Sequence, residues 1–462
     1  MPSVPVIKRP TPPADSNVSR LGAAETALGH GKLTVLISAE ACNPSWSSVP
    51  LIGYNLTRAL AERDDLEVTL VTNARNRDAL EADPINARAQ IHYVDNDFIA
   101  GPLFRFARKL RGGISKSWSI NTAMMWPGYI AYERMVLRAF GRDLRRGRFD
   151  LIHRVTPLTP VLGSPLTSWS RVPMVIGPLN GGLPWPGEFS HLRREEKEWL
   201  IPLRRLHAML PYHRSTFRRA AGLISASRHT EDALPAGNGQ KLYLPENGVD
   251  PTRFPLVDEW RPPTGPFHFI TVGRLAPVKA IDLIIQSIGG SDLLRACRLT
   301  VVGDGPEREK LESLTRDHGL QDVVRFVGWL DQSTLSGLLR DSHAFVFPSV
   351  KDFGGGAVLE AMASALPSIV CDYGGPAELV DSESGIVMPL EPVENLVVSI
   401  RRAMETLAAD HTLCARLGAA AARRVRDEFI WSAKAERIVA FYRQVLAPRK
   451  MRAGADRPGE CS

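Results

Sequence analysis

The sequence predicts an α/β protein made of two doubly wound domains in tandem. Short apolar runs alternate with segments of helical periodicity, which is typical of parallel strands joined by helices. The same alternation starts again after residue 266. A chain of 462 residues, of which 44% are hydrophobic and 23% charged, is long enough for each domain to bury its own core.

The strands and helices can be placed in order along the chain. In the first half, strands at 33–38 and 67–72 flank a helical pattern formed by Leu56, Leu60 and Ala61, which is a β-α-β beginning. Further strands of this parallel sheet are predicted at 150–153, 173–177 and 222–226. The second half has predicted strands at 267–272, 298–302, 323–326, 344–347 and 367–370.

Composition and periodicity divide the chain into five segments. The first 30 residues carry several prolines and no continuous apolar core, so we expect a disordered extension and not a signal peptide. Prolines between residues 245 and 266 interrupt the periodicity and predict a hinge. The segments are 1–30, a first domain at 31–250, a second domain at 251–428, a helix at 429–448 that packs on something, and a disordered tail at 449–462.

Basic residues gather in the N-terminal half of a chain whose formal charge is +7. Aromatic and apolar residues lie between them, which suits contact with anionic lipid or an anionic acceptor, although solvated helix faces have the same composition. No zinc-finger or ribonucleoprotein motif favours nucleic acid. The clusters are Arg105, Arg108, Lys109 and Arg111; Arg193, Arg194, Arg204 and Arg205; and Arg214, Arg218 and Arg219.

The expected location is the cytoplasm. The five cysteines are scattered and lack metal-ligand spacing, which favours a reducing compartment. No stretch is long and apolar enough to cross a bilayer, so we expect membrane contact to be peripheral at most.

The segment from residue 347 to 363 is the most informative for function. An apolar run leads into Gly354, Gly355 and Gly356, and a helix follows. The glycines allow close backbone approach, and the unpaired N–H groups at the start of the helix favour a bound anion. Asp352 and Glu360 flank this anion site and suit hydroxyl groups instead. A diphosphate joined to hydroxylated rings on both sides is a sugar nucleotide, which is the ligand that the segment predicts.

A second segment places two cations at a strand end. Gly273 ends the strand, and Arg274 and Lys279 lie in the loop that follows. Ligands of doubly wound sheets bind at these strand ends. An arginine and a lysine there would stabilise the negative charge that grows on a diphosphate leaving group, whereas the alternative is an exposed pair of surface cations.

Two glycine-containing turns are less specific. Gly303-Asp304-Gly305 resembles the start of a dinucleotide fingerprint but lacks the third glycine, so a tight turn is favoured over a nicotinamide site. Glu378, three residues after Gly375, could interact with the start of its own helix or with a ligand, and the sequence leaves both open.

In the first half, Asn180, Gly181 and Gly182 lie in a loop rich in glycine and proline. This loop is a candidate lining for the acceptor side of a cleft, or a structural turn. His153 ends an apolar run and could present an imidazole at a strand end, or could be an ordinary core residue.

Together these segments resemble glycosyltransferase family 4, the retaining, sugar-nucleotide-dependent enzymes with the GT-B fold. The resemblance extends from Leu33 to Leu446 and is strongest in the second half, where Gly-Arg-Leu, Gly-Asp-Gly-Pro, Pro-Ser, Leu-Glu-Ala-Met-Ala and Gly-Gly-x-x-Glu follow in the family's order. It implies two Rossmann-like domains, acceptor-binding then donor-binding, that face a central cleft, with the last helix crossing back onto the first domain.

The resemblance also implies roles for individual residues. Arg274 and Lys279 would bind the diphosphate, Glu360 the ribose hydroxyls, and the N–H groups of Gly355 and Gly356 the donor. Asp352 stands where the family usually has a glutamate, so the acid expected to contact the transferred sugar is one methylene shorter. The remaining implied donor contacts are Gly273, Gly354 and, in a proline-containing first loop at 43–55, Gly53; His153 lies two positions before the usual catalytic histidine.

The sequence thus predicts an enzyme that moves a sugar from a nucleoside diphosphate sugar to an acceptor hydroxyl with retention of configuration. The acceptor would be a saccharide or a lipid-linked one. No Asp-x-Asp motif lies in the donor loops, so neither a metal nor another cofactor is expected. A binding or scaffold protein that keeps the fold without transfer is the alternative, as is a dinucleotide oxidoreductase, which the incomplete fingerprint disfavours.

Overall fold

The computed structural model describes residues 31–96, 101, 118–189, 210–237 and 239–455. Within them, two all-parallel sheets of seven and six strands form two doubly wound domains in tandem. In each sheet the first strand along the chain lies in the interior, and the later strands are added outward on both sides of it. The predicted fold class is confirmed.

The first domain holds the seven-stranded sheet, in the order β3-β2-β1-β4-β5-β6-β7. Its strands are β1 (Leu33–Ala39), β2 (Leu66–Asn73), β3 (Gln90–Val94), β4 (Leu151–Thr156), β5 (Met174–Leu179), β6 (Gly222–Ser225) and β7 (Gln240–Tyr243). Its helices are α1 (Val49–Ala61), α2 (Arg77–Glu81), α3 (Trp118–Arg145), α4 (Leu166–Trp169), α5 (His213–Arg219) and α6 (Arg228–Ala233), with short 3-10 turns at Ala74–Asn76, Pro84–Ala87 and Gly187–Phe189.

The second domain holds the six-stranded sheet, in the order β10-β9-β8-β11-β12-β13. Its strands are β8 (His268–Val272), β9 (Arg298–Val302), β10 (Val324–Gly328), β11 (Ala344–Phe347), β12 (Ser368–Cys371) and β13 (Gly385–Met388). Its helices are α7 (Ile281–Gly289), α8 (Asp292–Arg295), α9 (Arg308–Asp317), α10 (Gln332–Arg340), α11 (Gly356–Ala363), α12 (Gly374–Leu379), α13 (Val393–Ala409) and α14 (His411–Arg424), after a 3-10 turn at Pro277–Lys279.

The last helix returns to the first domain. A π-helical turn at Val425–Phe429 leads into α15 (Trp431–Ala455), which continues beyond the end expected at residue 448. Ile438, Phe441 and Tyr442 are buried in the same hydrophobic cluster as the first-domain strand residues Val35 and Ile37. The helix therefore completes the core of the first domain, so the two domains are connected twice.

Some predictions concern residues outside the described ranges. These are the N-terminal extension 1–30, the basic clusters at 105–111 and 193–205, and residues 456–462 of the expected tail. Arg214, Arg218 and Arg219 are exposed on α5, whereas the aromatic Phe217 between them is buried in the core. Within the part of the chain that the structure describes, no helix is long and apolar enough to span a membrane.

The packing of α15 can be tested by truncating Ile438, whose side chain is fully buried. Replacing Ile438 with alanine should lower the free energy of unfolding by about 2–4 kcal/mol, because it removes buried methyl groups and leaves a cavity. Denaturant titration followed by circular dichroism measures this loss. Glu436→Ala, at an exposed position of the same helix, is the control; equal effects of the two substitutions would contradict the packing described.

Candidate active site

Two loops of the second domain meet at the carboxyl ends of neighbouring strands. Because β8 and β11 are paired in parallel, the loops that follow them leave the sheet side by side. The N–H of Val350 and the hydroxyl of Ser349 both donate to the carbonyl oxygen of Val278, at 2.9 and 3.0 Å. The cation loop and the glycine loop are thereby joined.

Asp352 organises the glycine loop. One of its carboxylate oxygens pairs with the ammonium group of Lys279, and the other accepts hydrogen bonds from the N–H groups of Gly354 and Gly355 at 3.1 and 3.0 Å. Burial alone would raise the pKa of Asp352, but Lys279 and the two N–H groups lower it below its usual range. Both oxygens of Asp352 therefore already have partners inside the protein.

The glycines give this loop its shape. Gly355 is the residue before α11 and has a φ of 61°, in the left-handed region that side chains disfavour. No side chain caps the helix. Among the described residues, no side chain accepts from the N–H groups of Gly356 and Ala357 at the start of α11, which suits an anion, whereas the N–H of Gly355 already donates to Asp352.

Glu360 lies one turn into α11 and is half-buried. Among the described residues, no donor or cation contacts its carboxylate. Burial raises the pKa of Glu360 to about 7. A buried carboxyl group without partners is costly unless a ligand supplies hydrogen-bond donors, so this geometry is consistent with hydroxyl binding.

Arg274 is exposed, and within the described ranges its guanidinium group makes no hydrogen bond or ion pair. The loop of Arg274 is held by the turn that follows β9. In this turn, Gly303 and Gly305 pack so closely on the backbone of Gly273 and Leu275 that neither could carry a side chain. The N–H of Leu275 also donates to the carbonyl oxygen of Asp304 at 3.0 Å. The Gly-Asp-Gly segment is thus a tight turn that supports the cation loop.

The expected acceptor-side loop touches the second domain. Asn180 is buried, and its side-chain amide donates to the carbonyl oxygen of Phe353 in the glycine loop at 3.1 Å. Gly181 donates its N–H to the hydroxyl of Thr230 at 3.2 Å, and the carbonyl oxygen of Gly182 contacts the ring of His229 at 3.1 Å. A cavity of about 250 Å³ lies between the domains here. Residues from both domains line it, including Asn180, Arg228, His229, Phe353, Tyr373 and Glu378.

Glu378 joins the two domains. Its carboxylate accepts hydrogen bonds from the backbone N–H of Arg228 at 3.0 Å and from the hydroxyl of Tyr243 at 2.7 Å, both in the first domain. Tyr373 donates its hydroxyl to the carbonyl oxygen of Pro184 at 2.8 Å, again across the boundary. These contacts give Glu378 a role between the domains that the sequence did not indicate, and because Glu378 also lines the cavity, its contact with a ligand stays a prediction.

His153 is not brought to the cleft. It is fully buried in β4, where its Nε2 donates to the carbonyl oxygen of Gly177 at 2.7 Å and its Nδ1 accepts from the hydroxyl of Tyr442 at 2.5 Å. Burial lowers the pKa of His153 to about 4, so the ring is neutral. The structure gives His153 a place in the core beneath α15, and we leave it out of the proposed reaction.

Gly53 lies inside α1 and not in the loop expected at 43–55. The helix begins at Val49, since Pro50 in its first turn favours a helical backbone. The close approach that Gly53 permits is with the chain itself: a side chain there would collide with the carbonyl oxygen of Ala41 and lie 2.9 Å from Thr156. A contact between Gly53 and the donor stays a prediction.

Sequence analysis missed Glu246, which it treated only as part of a hinge. Its carboxyl group interacts with the side chain of Asn180, and a methyl group on Gly354 would lie 2.5 Å from its Oε1 atom. Burial, together with the charge of Asp352, raises the pKa of Glu246 to about 7. An acid within the linker was the only available signal, and it does not reveal which loops approach.

Comparison with known proteins finds a family that is similar to the second domain. Residues 254–424 match the family model described as glycosyl transferases group 1. The second domain is therefore similar in sequence to that family over these residues.

Individual relatives extend the likeness. Glycogen synthase from Mycobacterium tuberculosis is 29% identical over 222 residues, covering 46% of this chain and 52% of the relative. GDP-mannose-dependent alpha-mannosyltransferase from Mycolicibacterium smegmatis is 30% identical over 243 residues, covering 51% and 60%. The chain thus spans about half the length of the curated relatives it matches. Sucrose-phosphate synthase from Thermosynechococcus elongatus has a TM-score of 0.62 at 20% identity, covering 90% of this chain and 100% of that one, and shows the shared fold.

Because the pKa of Glu360 is raised, we expect this residue to make the thermal stability of the protein depend on pH. A carboxyl group whose pKa is raised on folding contributes stability below its unfolded pKa of about 4.5, and this contribution is lost as the pH rises through about 7. Glu360→Gln should therefore raise the Tm at pH 8 by about 1–3 °C and leave it unchanged at pH 4.5. Differential scanning calorimetry at both pH values measures the difference, with the exposed Glu259→Gln as control. An equal Tm for wild type and Glu360→Gln at pH 8 would refute the isolated carboxyl group.

Proposed function

We propose that the protein is a retaining glycosyltransferase that moves a sugar from a nucleoside diphosphate sugar to an acceptor hydroxyl. One observation supports this most strongly. At the carboxyl ends of two adjacent strands lie Arg274, Lys279, the uncapped start of α11 and the carboxylate of Glu360, which has no partner among the described residues. This set provides positive charge for a diphosphate beside an acceptor for ribose hydroxyls.

The donor class is supported by chemistry and by likeness. Two cations and a helix N-terminus suit two phosphates, whereas a single phosphate would need fewer groups. The domain that carries them matches the group 1 family, and one relative is named GDP-mannose-dependent. The base and the sugar follow from neither argument.

The residues of the chain would act on the leaving group. As the bond between the sugar and the diphosphate breaks, negative charge grows on the phosphate oxygen, and Arg274 and the N–H groups of α11 stabilise that charge. Lys279 is held by Asp352 and by the ring of Phe347, whose centre lies 4.8 Å from the ammonium nitrogen. We assign to Asp352 the task of keeping this cation in place, in addition to the sugar contact that the family resemblance implies.

Contacts between the domains would protect the reaction from water. Asn180, Tyr373 and Glu378 all bond across the domain boundary beside the glycine loop. Closing this part of the cleft keeps water from hydrolysing the donor. Retention of configuration is proposed from the family resemblance alone.

For the acceptor, we propose a saccharide or a lipid-linked saccharide. The likeness to a glycogen synthase favours a polysaccharide. The exposed arginines of α5 and the basic clusters of the N-terminal half favour an acceptor at an anionic surface. Sedimentation with vesicles of anionic lipid at low salt distinguishes a polysaccharide acceptor from a lipid-linked one. An enzyme with a lipid-linked acceptor should bind the vesicles and release them as the salt concentration rises.

Donor binding should depend on Arg274. Arg274→Ala should weaken the affinity for a nucleoside diphosphate by about 10- to 100-fold, because a charge-assisted contact to phosphate is lost. Isothermal titration with the diphosphates of all common bases measures the affinity. Arg316→Ala, at an exposed position of α9, is the control. Affinity that is unchanged in Arg274→Ala would place the nucleotide elsewhere.

Transfer should depend on Lys279. With a donor identified by titration, Lys279→Met should lower kcat by about 100-fold or more, since charge stabilisation at the transition state is lost. Proton NMR of the product reports both the rate and the anomeric configuration, and EDTA should leave the rate unchanged. Tight donor binding by the wild type without transfer or hydrolysis would favour a binding or scaffold protein.

A further inference from the structure

Glu246 touches both domains from the linker between them. On one side its carboxyl group lies near the side chain of Asn180 in the first domain, an interaction that favours the ionised form of the acid. On the other side it packs against Gly354 in the glycine loop of the second domain, where any side chain would collide with Glu246 and Asn247. A single carboxyl group therefore lies between the acceptor-side loop and the donor loop.

The backbone of this linker is fixed from α15. Lys434 is almost fully buried, and its ammonium group donates to the carbonyl oxygens of Pro245 and Asn247, the two neighbours of Glu246. Two residues further on, the N–H of Val249 donates to the carbonyl oxygen of Phe429 at 2.9 Å. These bonds fix the backbone of the linker on both sides of Glu246.

Glu246 and Asn180 contact the same turn of the glycine loop. Asn180 donates to the carbonyl oxygen of Phe353 and interacts with Glu246, and Glu246 in turn packs against Gly354, the residue after Phe353. Phe353 and Gly354 directly follow Asp352, which holds Lys279. Displacing the carboxyl group of Glu246 would therefore release the turn that sets the position of the Asp352 pair and of the start of α11.

We propose that Glu246 is a positioning residue of the donor site, which holds Asn180 and the turn at Gly354 together so that the donor loop keeps its shape. This role rests on the proposed function for its catalytic consequence but not for its structural one. The functional groups of Glu246 need not touch the substrate, because the contacts described act through Asn180 and Gly354.

The experiment is amide hydrogen exchange by mass spectrometry on the full chain without ligand. In Glu246→Ala, exchange in residues 352–357 should be about fivefold faster or more, with other segments unchanged. Glu246→Gln keeps the shape and a hydrogen-bonding oxygen, so it should restore most of the protection. Glu259→Ala, at an exposed position, is the matched control. Exchange in 352–357 that equals the control, or that rises equally throughout the molecule, would overturn the proposal.

Kinetics separate this role from general destabilisation. If the protein transfers a sugar, Glu246→Ala should lower kcat by about tenfold or more while the donor KM changes by less than about threefold, since misplaced groups cost most in the transition state. Unchanged kcat would count against the role. If the wild type transfers no sugar but exchange in 352–357 responds as expected, the proposed function fails and the positioning of the loop by Glu246 stands.

Discussion

The site depends on the carboxylate of Asp352. It pairs with Lys279 on one side and accepts two backbone N–H groups on the other, so one group fixes the cation and the turn that precedes α11. Because the pair is largely buried, removing either partner would leave an uncompensated charge, at a cost of about 3–5 kcal/mol. The glycine at 355, the direction of α11 and the contact with Asn180 all follow from a loop held in this way.

The two acids of this loop and helix differ in their surroundings, and that difference suggests a division of work. Asp352 has partners for both oxygens and a lowered pKa, whereas Glu360 has no partner among the described residues and a pKa raised to about 7. A group already bonded inside the protein stabilises the site before a ligand arrives. A group without partners is available for the hydroxyls of a ligand.

Sequence reasoning found the features that are local. The interior strands, such as β1 and β11, are continuous apolar runs because both faces of a parallel sheet are covered. The edge strands β3, β7 and β13 escaped prediction because they are short and at least half of their residues lie at the protein surface or near it.

In the site, two continuous motifs contain Arg274, Lys279, Asp352, Glu360 and the three glycines. Glu246 and the partners of Glu378 did not emerge, since they depend on how two domains approach. A histidine at the end of an apolar run can lie in the core or in the cleft. The sequence does not distinguish these positions, and the packing of α15 places His153 in the core.

A crystal structure of the full chain with a bound nucleoside diphosphate would test the central claim most directly. We expect the diphosphate between Arg274, Lys279 and the N–H groups at the start of α11, with the ribose hydroxyls on the carboxylate of Glu360. A nucleotide bound instead at the turn of Gly303 and Gly305, or one that leaves Glu360 without a partner, would contradict it.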